Sequence, residues 1–119
     1  MPCTVLVVDD DAAFRGLAAR LLAAMGLEVV GEADSWTSAA AAARGLRPQS
    51  VLVDVNLPDG NGIDLAKHLA ALPWRPRVVL TSSDPDATSD AAVQGLGAVG
   101  FIAKDELANG SLRTMLAGG

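Results

Sequence analysis

The sequence predicts an α/β fold, a parallel sheet with helices on both faces, and three observations carry that prediction. Five short apolar runs alternate with five stretches of helical character, the order that right-handed crossovers turn into a parallel sheet. The first, third and fourth runs are almost continuously apolar, as strands covered on both faces must be. Acidic residues stand where two of these runs end. TVLVV (4–8) empties into Asp9, Asp10 and Asp11, and VLVDV (51–55) carries Asp54 before the turn-forming NLPDGNG (56–62). An unpaired carboxylate at the end of a buried strand costs several kcal/mol in lost solvation, so both placements call for a partner.

The first strand, Thr4–Val8, leads into an amphipathic helix in which Phe14, Leu17, Leu21, Leu22 and Met25 recur at helical spacing. Asp11 is placed to cap that helix and Gly26 to stop it. Leu27–Ala33 reads as the second strand, an Ala-rich helix of small cross-section as Trp36–Arg44, and Ser50–Val55 as the third strand. A third helix, Ile63–Leu72, turns Ile63, Leu65, Ala66, Leu69 and Leu72 inward and ends before Pro73. The fourth strand is Arg77–Thr81. Asp84 and Pro85 suit the cap and first turn of a fourth helix running to about Gly95. Val99–Ala103 is the fifth strand, and a short helix over Asn109–Ala117, interrupted by Gly110, comes last.

With 119 residues, no repeat and no linker, residues 1–119 are expected to form a single domain. The net charge of −5, without a basic stripe, argues against direct nucleic-acid binding. No apolar run approaches the ~20 residues needed to span a bilayer, and nothing resembles a signal peptide. One cysteine, Cys3, is read as a small buried or edge residue, and a reduced, cytoplasmic setting is expected. His68 is expected to be a solvated surface residue, Trp36 to pack at the start of the second helix, and Trp74 to cover a loop.

In sheets of this kind ligands bind beyond the carboxyl ends of the strands. Asp9 and Asp10, Asp54, Thr81 and Lys104 all fall on that rim, after the first, third, fourth and fifth strands. A pocket of three carboxylates is tolerable with a hard cation, and Mg²⁺ is the expectation.

These elements together resemble a response-regulator receiver domain of two-component signal transduction, end to end. The likeness lies in the acidic pair of VVDD, the aspartate of LVDVNLPDGNG, the Thr81-Ser82 step after RVVL, and Lys104 in GAVGFIAKDEL. The resemblance implies a flavodoxin-like three-layer sandwich, a five-stranded parallel sheet of order 2-1-3-4-5 with five helices. It implies Asp54 as phosphoacceptor, with Mg²⁺ held by Asp9, Asp10, Asp54 and the backbone carbonyl of Asn56. Lys104 and Thr81 would contact phosphoryl oxygens, and Thr81 with Phe101 would form the switch.

The donor would be a histidine kinase or phosphotransfer protein docking near the first helix. The output would be read by an output domain or target protein through helix 4, strand 5 and helix 5. A homodimer through the short last helix would be weak. GFIAKDEL, with Asp105 where many receivers carry proline, resembles receivers that precede helix-turn-helix output domains. No such module lies within residues 1–119, and a stand-alone receiver and a piece of a longer regulator both stay open.

Three alternatives remain. One is a small Mg²⁺-dependent phosphatase of haloacid-dehalogenase type, with Asp9 as nucleophile and Asp11 as general acid, which leaves Asp54 without a role. Another is a flavin or nucleotide module, whose phosphate the acidic loop after the first strand would repel. The last is an interaction module that is never phosphorylated. Clustered carboxylates should make one of them hold its proton more tightly, and Asn at position 9 or 10 is expected to raise metal-free stability.

Overall fold

The computed structural model describes residues 3–84, 95, 97–108 and 111–118. Its elements are β1 (Thr4–Val8), α1 (Ala12–Ala24), β2 (Glu28–Ala33), α2 (Trp36–Leu46), β3 (Ser50–Asp54), β4 (Asn56–Leu57), β5 (Gly60–Asn61), α3 (Gly62–Ala70), β6 (Arg77–Ser82), β7 (Gly100–Ala103) and a C-terminal helix (Ser111–Ala117). The main sheet runs β2-β1-β3-β6-β7 with every neighbouring pair parallel. Counted along that sheet alone, this is the order 2-1-3-4-5. The predicted fourth helix, over 84–95, falls almost wholly outside the described residues.

Alternation along each strand divides the interior in two. Leu6, Val8, Val51, Val53, Val78 and Leu80 face α2 and α3, where Ala39, Ala43, Leu65 and Leu69 meet them. Val5, Val7, Leu52, Val79 and Ile102 face the other way, onto Phe14, Ala18 and Leu22 of α1 and Leu112 and Leu116 of the C-terminal helix. The three layers follow from this period-two division of continuously apolar strands. Small side chains set the spacing on one side: Ala39, Ala40 and Ala43 are all buried along α2.

Several local expectations shift. Leu17 is 44% exposed, because the inward stripe of α1 is Phe14–Ala18–Leu22, at successive steps of four. Gly26 adopts φ +85° and ends α1, and the Leu27 amide still bonds Leu22 O (3.0 Å), so β2 begins one residue late, at Glu28. Helix α2 continues to Leu46 and stops at Arg47, which is left-handed at φ 48°. The antiparallel β4–β5 hairpin lies within what reads as a loop; two-residue strands leave no periodicity to detect.

Outside the rim, His68 is partly buried, its ring centroid 5.1 Å from that of Trp36. Trp74 does cover a loop, donating from Nε1 to Pro48 O at 2.9 Å beneath the Arg47 guanidinium. At the amino-terminal edge of the sheet the C-terminal helix is tied down by three side chains. Ser50 Oγ donates to Leu116 O, Arg77 Nε to Met115 O (2.9 Å), and Arg113 Nε to Met25 O (2.9 Å). Cys3 Sγ joins the same group, 3.4 Å from Leu116 O.

Candidate functional site: an acidic rim with one lysine

Parallel register brings the rim together. Val8 is level with Val53, Asp54 with Thr81, and Ser82 with Ala103, so Asp9, Asp54, Thr81 and Lys104 emerge side by side. Asp9 is completely buried; its amide donates to Ala33 O (3.0 Å) and its Oδ1 accepts the Asp11 amide (2.9 Å). Asp10 is exposed. Asp11 caps α1 as expected, accepting the Ala13 and Phe14 amides. Asp54, 5% exposed, accepts the Asn56 amide on Oδ1 at 3.2 Å.

Lys104 is the cation of this group. It starts a single 3₁₀ turn over Lys104–Glu106, which turns the chain after β7 across the rim. Its Nζ lies 2.6 Å from Asp9 Oδ2 and 3.4 Å from Asp54 Oδ2. It also stands 4.3 Å from the centroid of the Phe14 ring, a cation–π contact that sequence reasoning missed. Arg15 was missed too. Its Nη1 donates to Asp9 O (2.6 Å) while Nε pairs with Glu32 (3.0 Å), fixing the backbone behind the acid. Arg15 stands one helical turn past the Asp11 cap, and that spacing is the signal that could have found it.

Burial pushes the Asp54 carboxyl above the usual 3.8. The Asn56 amide pulls it back, the charge of Asp9 adds to the rise, and Lys104 opposes it. For Lys104 burial works downward, but the bond to Asp9 and the fields of Asp54 and Asp9 outweigh it and hold the ammonium above 10.5. Asp9 is therefore a paired charge, which removes the reason to expect Asn at position 9 to stabilise the fold. Asp10, exposed, keeps that expectation alone.

Thr81 is fully buried, and its Oγ1 has no hydrogen-bond partner among the described residues. Phe101, partly buried on β7, packs against the α2–α3 side of the core. The backbone of Asn56 starts the β4–β5 hairpin directly after Asp54 and Val55. Oxygen atoms of Asp9, Asp10 and Asp54 all lie within 4.8 Å of one another. A six-coordinate ion with bonds of about 2.1 Å has opposite ligands about 4.2 Å apart, so these acids fit one hard cation after small side-chain rotations. The five predicted rim residues, Asp9, Asp10, Asp54, Thr81 and Lys104, thus share one site, to which Thr81 brings a hydroxyl with no partner among the described residues.

The family model described as response regulator receiver domain matches residues 5–117. The chain is 42% identical over 102 residues to the DNA-binding transcriptional activator DevR/DosR of Mycobacterium tuberculosis, covering 84% of this chain and 46% of that protein. It is 41% identical over 105 residues to protein-glutamate methylesterase/protein-glutamine glutaminase 2 of Anaeromyxobacter dehalogenans, covering 87% of this chain and 30% of that protein. It therefore spans less than half the length of these two relatives. Among solved structures, the response regulator domain of Thermotoga maritima CheB superposes with a TM-score of 0.83 at 26% identity, over 97% of this chain and 94% of that one. A LuxR-family two-component response regulator from Aurantimonas gives 0.85 at 25% identity, over 99% and 87%.

Proposed function

The chain belongs to the response regulator receiver family, and from that premise we propose that it takes a phosphoryl group onto Asp54 in a Mg²⁺-dependent reaction. One observation carries the reading: Lys104 bridges Asp9 and Asp54, and Thr81, level with Asp54 on the next strand, carries a buried hydroxyl with no partner among the described residues. A donor and a cation stand where a group rich in negative oxygen would sit against a nucleophilic carboxylate. An Asp54 oxygen attacks phosphorus. The new P–O bond forms as the P–N bond to a donor histidine breaks, its electron pair returning to nitrogen and leaving an acyl phosphate.

Asp10, Asp54 and the Asn56 carbonyl would hold Mg²⁺, with Asp9 acting through water, and the ion would supply positive charge against the incoming phosphoryl group. Lys104 moves from its carboxylate partners to one phosphoryl oxygen. Thr81 donates its hydroxyl to another, and Phe101 follows into the space that opens, a population shift between two packings. Lacking a hydroxyl, Phe101 balances between them on packing alone.

The partners on this reading are a histidine kinase or phosphotransfer protein and an output domain or target, in a cytoplasmic setting. Direct nucleic-acid contact by residues 1–119, read as one domain, is not part of it. No helix among the described residues is long and apolar enough to cross a membrane. Mass spectrometry after treatment with acetyl phosphate and Mg²⁺ tests the reading: an acid-labile adduct on Asp54, lost in Asp54→Asn, is expected. Mg²⁺-dependent phosphatase turnover that survives Asp54→Asn and dies in Asp9→Asn would support the dehalogenase-type alternative instead.

A further inference from the structure

We infer that Asp59 is a positioning residue for the metal-binding loop: it clamps the tip of the β4–β5 hairpin to the N-terminus of α2 and thereby fixes the carbonyl of Asn56. The inference rests on the phosphoacceptor reading above. At its root the hairpin is held tightly. The Gly62 amide donates to Val55 O (2.8 Å), and a Cβ at Gly62 would lie 1.9 Å from Asp54 O, so the returning chain runs directly against the end of β3. Between root and tip there are only two paired positions, Asn56 with Asn61 and Leu57 with Gly60. A two-stranded ribbon of that length does not hold its own shape in water.

The tip supplies what the ribbon lacks. Asp59 Oδ1 accepts the Trp36 amide at 2.7 Å; Oδ2 accepts the Thr37 amide at 3.2 Å and the Thr37 hydroxyl at 2.8 Å. These bonds, the Thr37 hydroxyl foremost, hold the Asp59 carboxyl below its ordinary range. Helix α2 does not depend on Asp59 for its cap, because Ser35 and Ser38 already form a reciprocal capping box. Asp59 takes amides that the box leaves open. Trp36 adds a second contact at the tip. A Cβ at Gly60 would come within 2.9 Å of Trp36 Cδ1, so the Trp36 side chain packs directly against the turn.

The hairpin is thus pinned at both ends, and Asn56 belongs to the pinned unit, its amide already on Asp54 Oδ1. Mg²⁺ demands near-ideal octahedral geometry. A carbonyl that swings with a loose hairpin would serve it poorly, and partners that orient ligands typically change metal affinity at least tenfold when removed.

Mg²⁺ titration of the intact chain by calorimetry, alongside Asp59→Ala, Thr37→Val, Ser35→Ala and Asp10→Asn, tests the clamp. Asp59→Ala should weaken Mg²⁺ binding about tenfold, and Thr37→Val, which removes one of three bonds, about twofold. Ser35→Ala uncaps the same helix but leaves the hairpin attached, and should keep the wild-type affinity. Asp59→Asn, which retains an oxygen for the Trp36 amide, should recover part of the loss. Equal weakening in Asp59→Ala and Ser35→Ala would assign the effect to fraying of α2 and overturn the clamp. Unchanged affinity in Asp59→Ala, with binding lost in Asp10→Asn, would overturn the clamp and leave the phosphoacceptor reading standing. Affinity indifferent to Asp10→Asn would overturn both.

Discussion

Thr81→Val separates what the buried hydroxyl costs the resting protein from what it does under phosphorylation. Thr81 is central in the sheet, between β3 and β7, fully buried, and its Oγ1 has no partner among the described residues. A buried hydroxyl left unpaired costs about 1–3 kcal/mol. Valine keeps the β-branched shape of threonine, so the exchange trades that cost for a methyl group at little steric expense. The low end applies, because Thr81 stands near the end of β6, level with Asp54, at the polar rim of the sheet rather than deep among apolar side chains. We expect a gain of about 1 kcal/mol in the metal-free protein, a rise of roughly 3–6 °C in Tm for a domain of this size.

Urea unfolding followed by circular dichroism measures it, with the midpoint raised and the slope unchanged. In the same variant Asp54 should still take phosphate by mass spectrometry, while the phosphorylation-dependent shift of amide NMR signals near Phe101 disappears. A variant less stable than wild type by about 1 kcal/mol would show that the hydroxyl is already satisfied. The proposed switch would then need another trigger.

Gly62→Ala should cost about 3 kcal/mol or prevent folding, since the added Cβ meets Asp54 O at 1.9 Å and Val55 Cα at 2.8 Å, backbone atoms that cannot rotate away; wild-type urea stability would refute that contact. Mg²⁺ affinity should begin to fall at a higher pH than for an ordinary aspartate, because bound ion requires ionised Asp54 and its carboxyl is raised above 3.8. The stability sign is the reverse: a raised acid favours the fold when protonated, a contribution present below 3.8 and lost as pH rises through the folded value. Asp54→Asn should remove that slope from the metal-free stability curve measured by urea titration at several pH values.

Lys104→Met leaves buried Asp9 without its cation. We expect a loss of about 2 kcal/mol at neutral pH, discounted from the ~3–5 of a fully buried pair because Lys104 is partly exposed. In the wild type the same pairing should hold below 10.5 and weaken as pH rises past it, which alkaline melting curves would register.

What was legible in the sequence follows from how local each signal is. The strands β1, β3 and β6 announce themselves because both faces are apolar, and chain order then puts Asp9, Asp54, Thr81 and Lys104 on one rim without any knowledge of distances. Leu17 misled because helical spacing gives a stripe but not its centre; which residues fall at the centre depends on where α1 lies over β1. Phe14 and Lys104 are 90 positions apart and meet through the register of four strands, which no local pattern encodes. Asp59 looked like one more turn residue, since its partners, Trp36 and Thr37, stand more than 20 positions earlier in the chain.

The anchoring of the C-terminal helix has a mechanical consequence. Ser50, which grips Leu116, stands four residues before Asp54 on the same strand, a separation of about 13 Å at 3.3 Å per residue. A module tethered behind that helix would stand at the far pole of the molecule from the acids. On the phosphoacceptor reading, a change at Asp54 would reach such a module through the strands and through the helix that Ser50 and Arg77 hold.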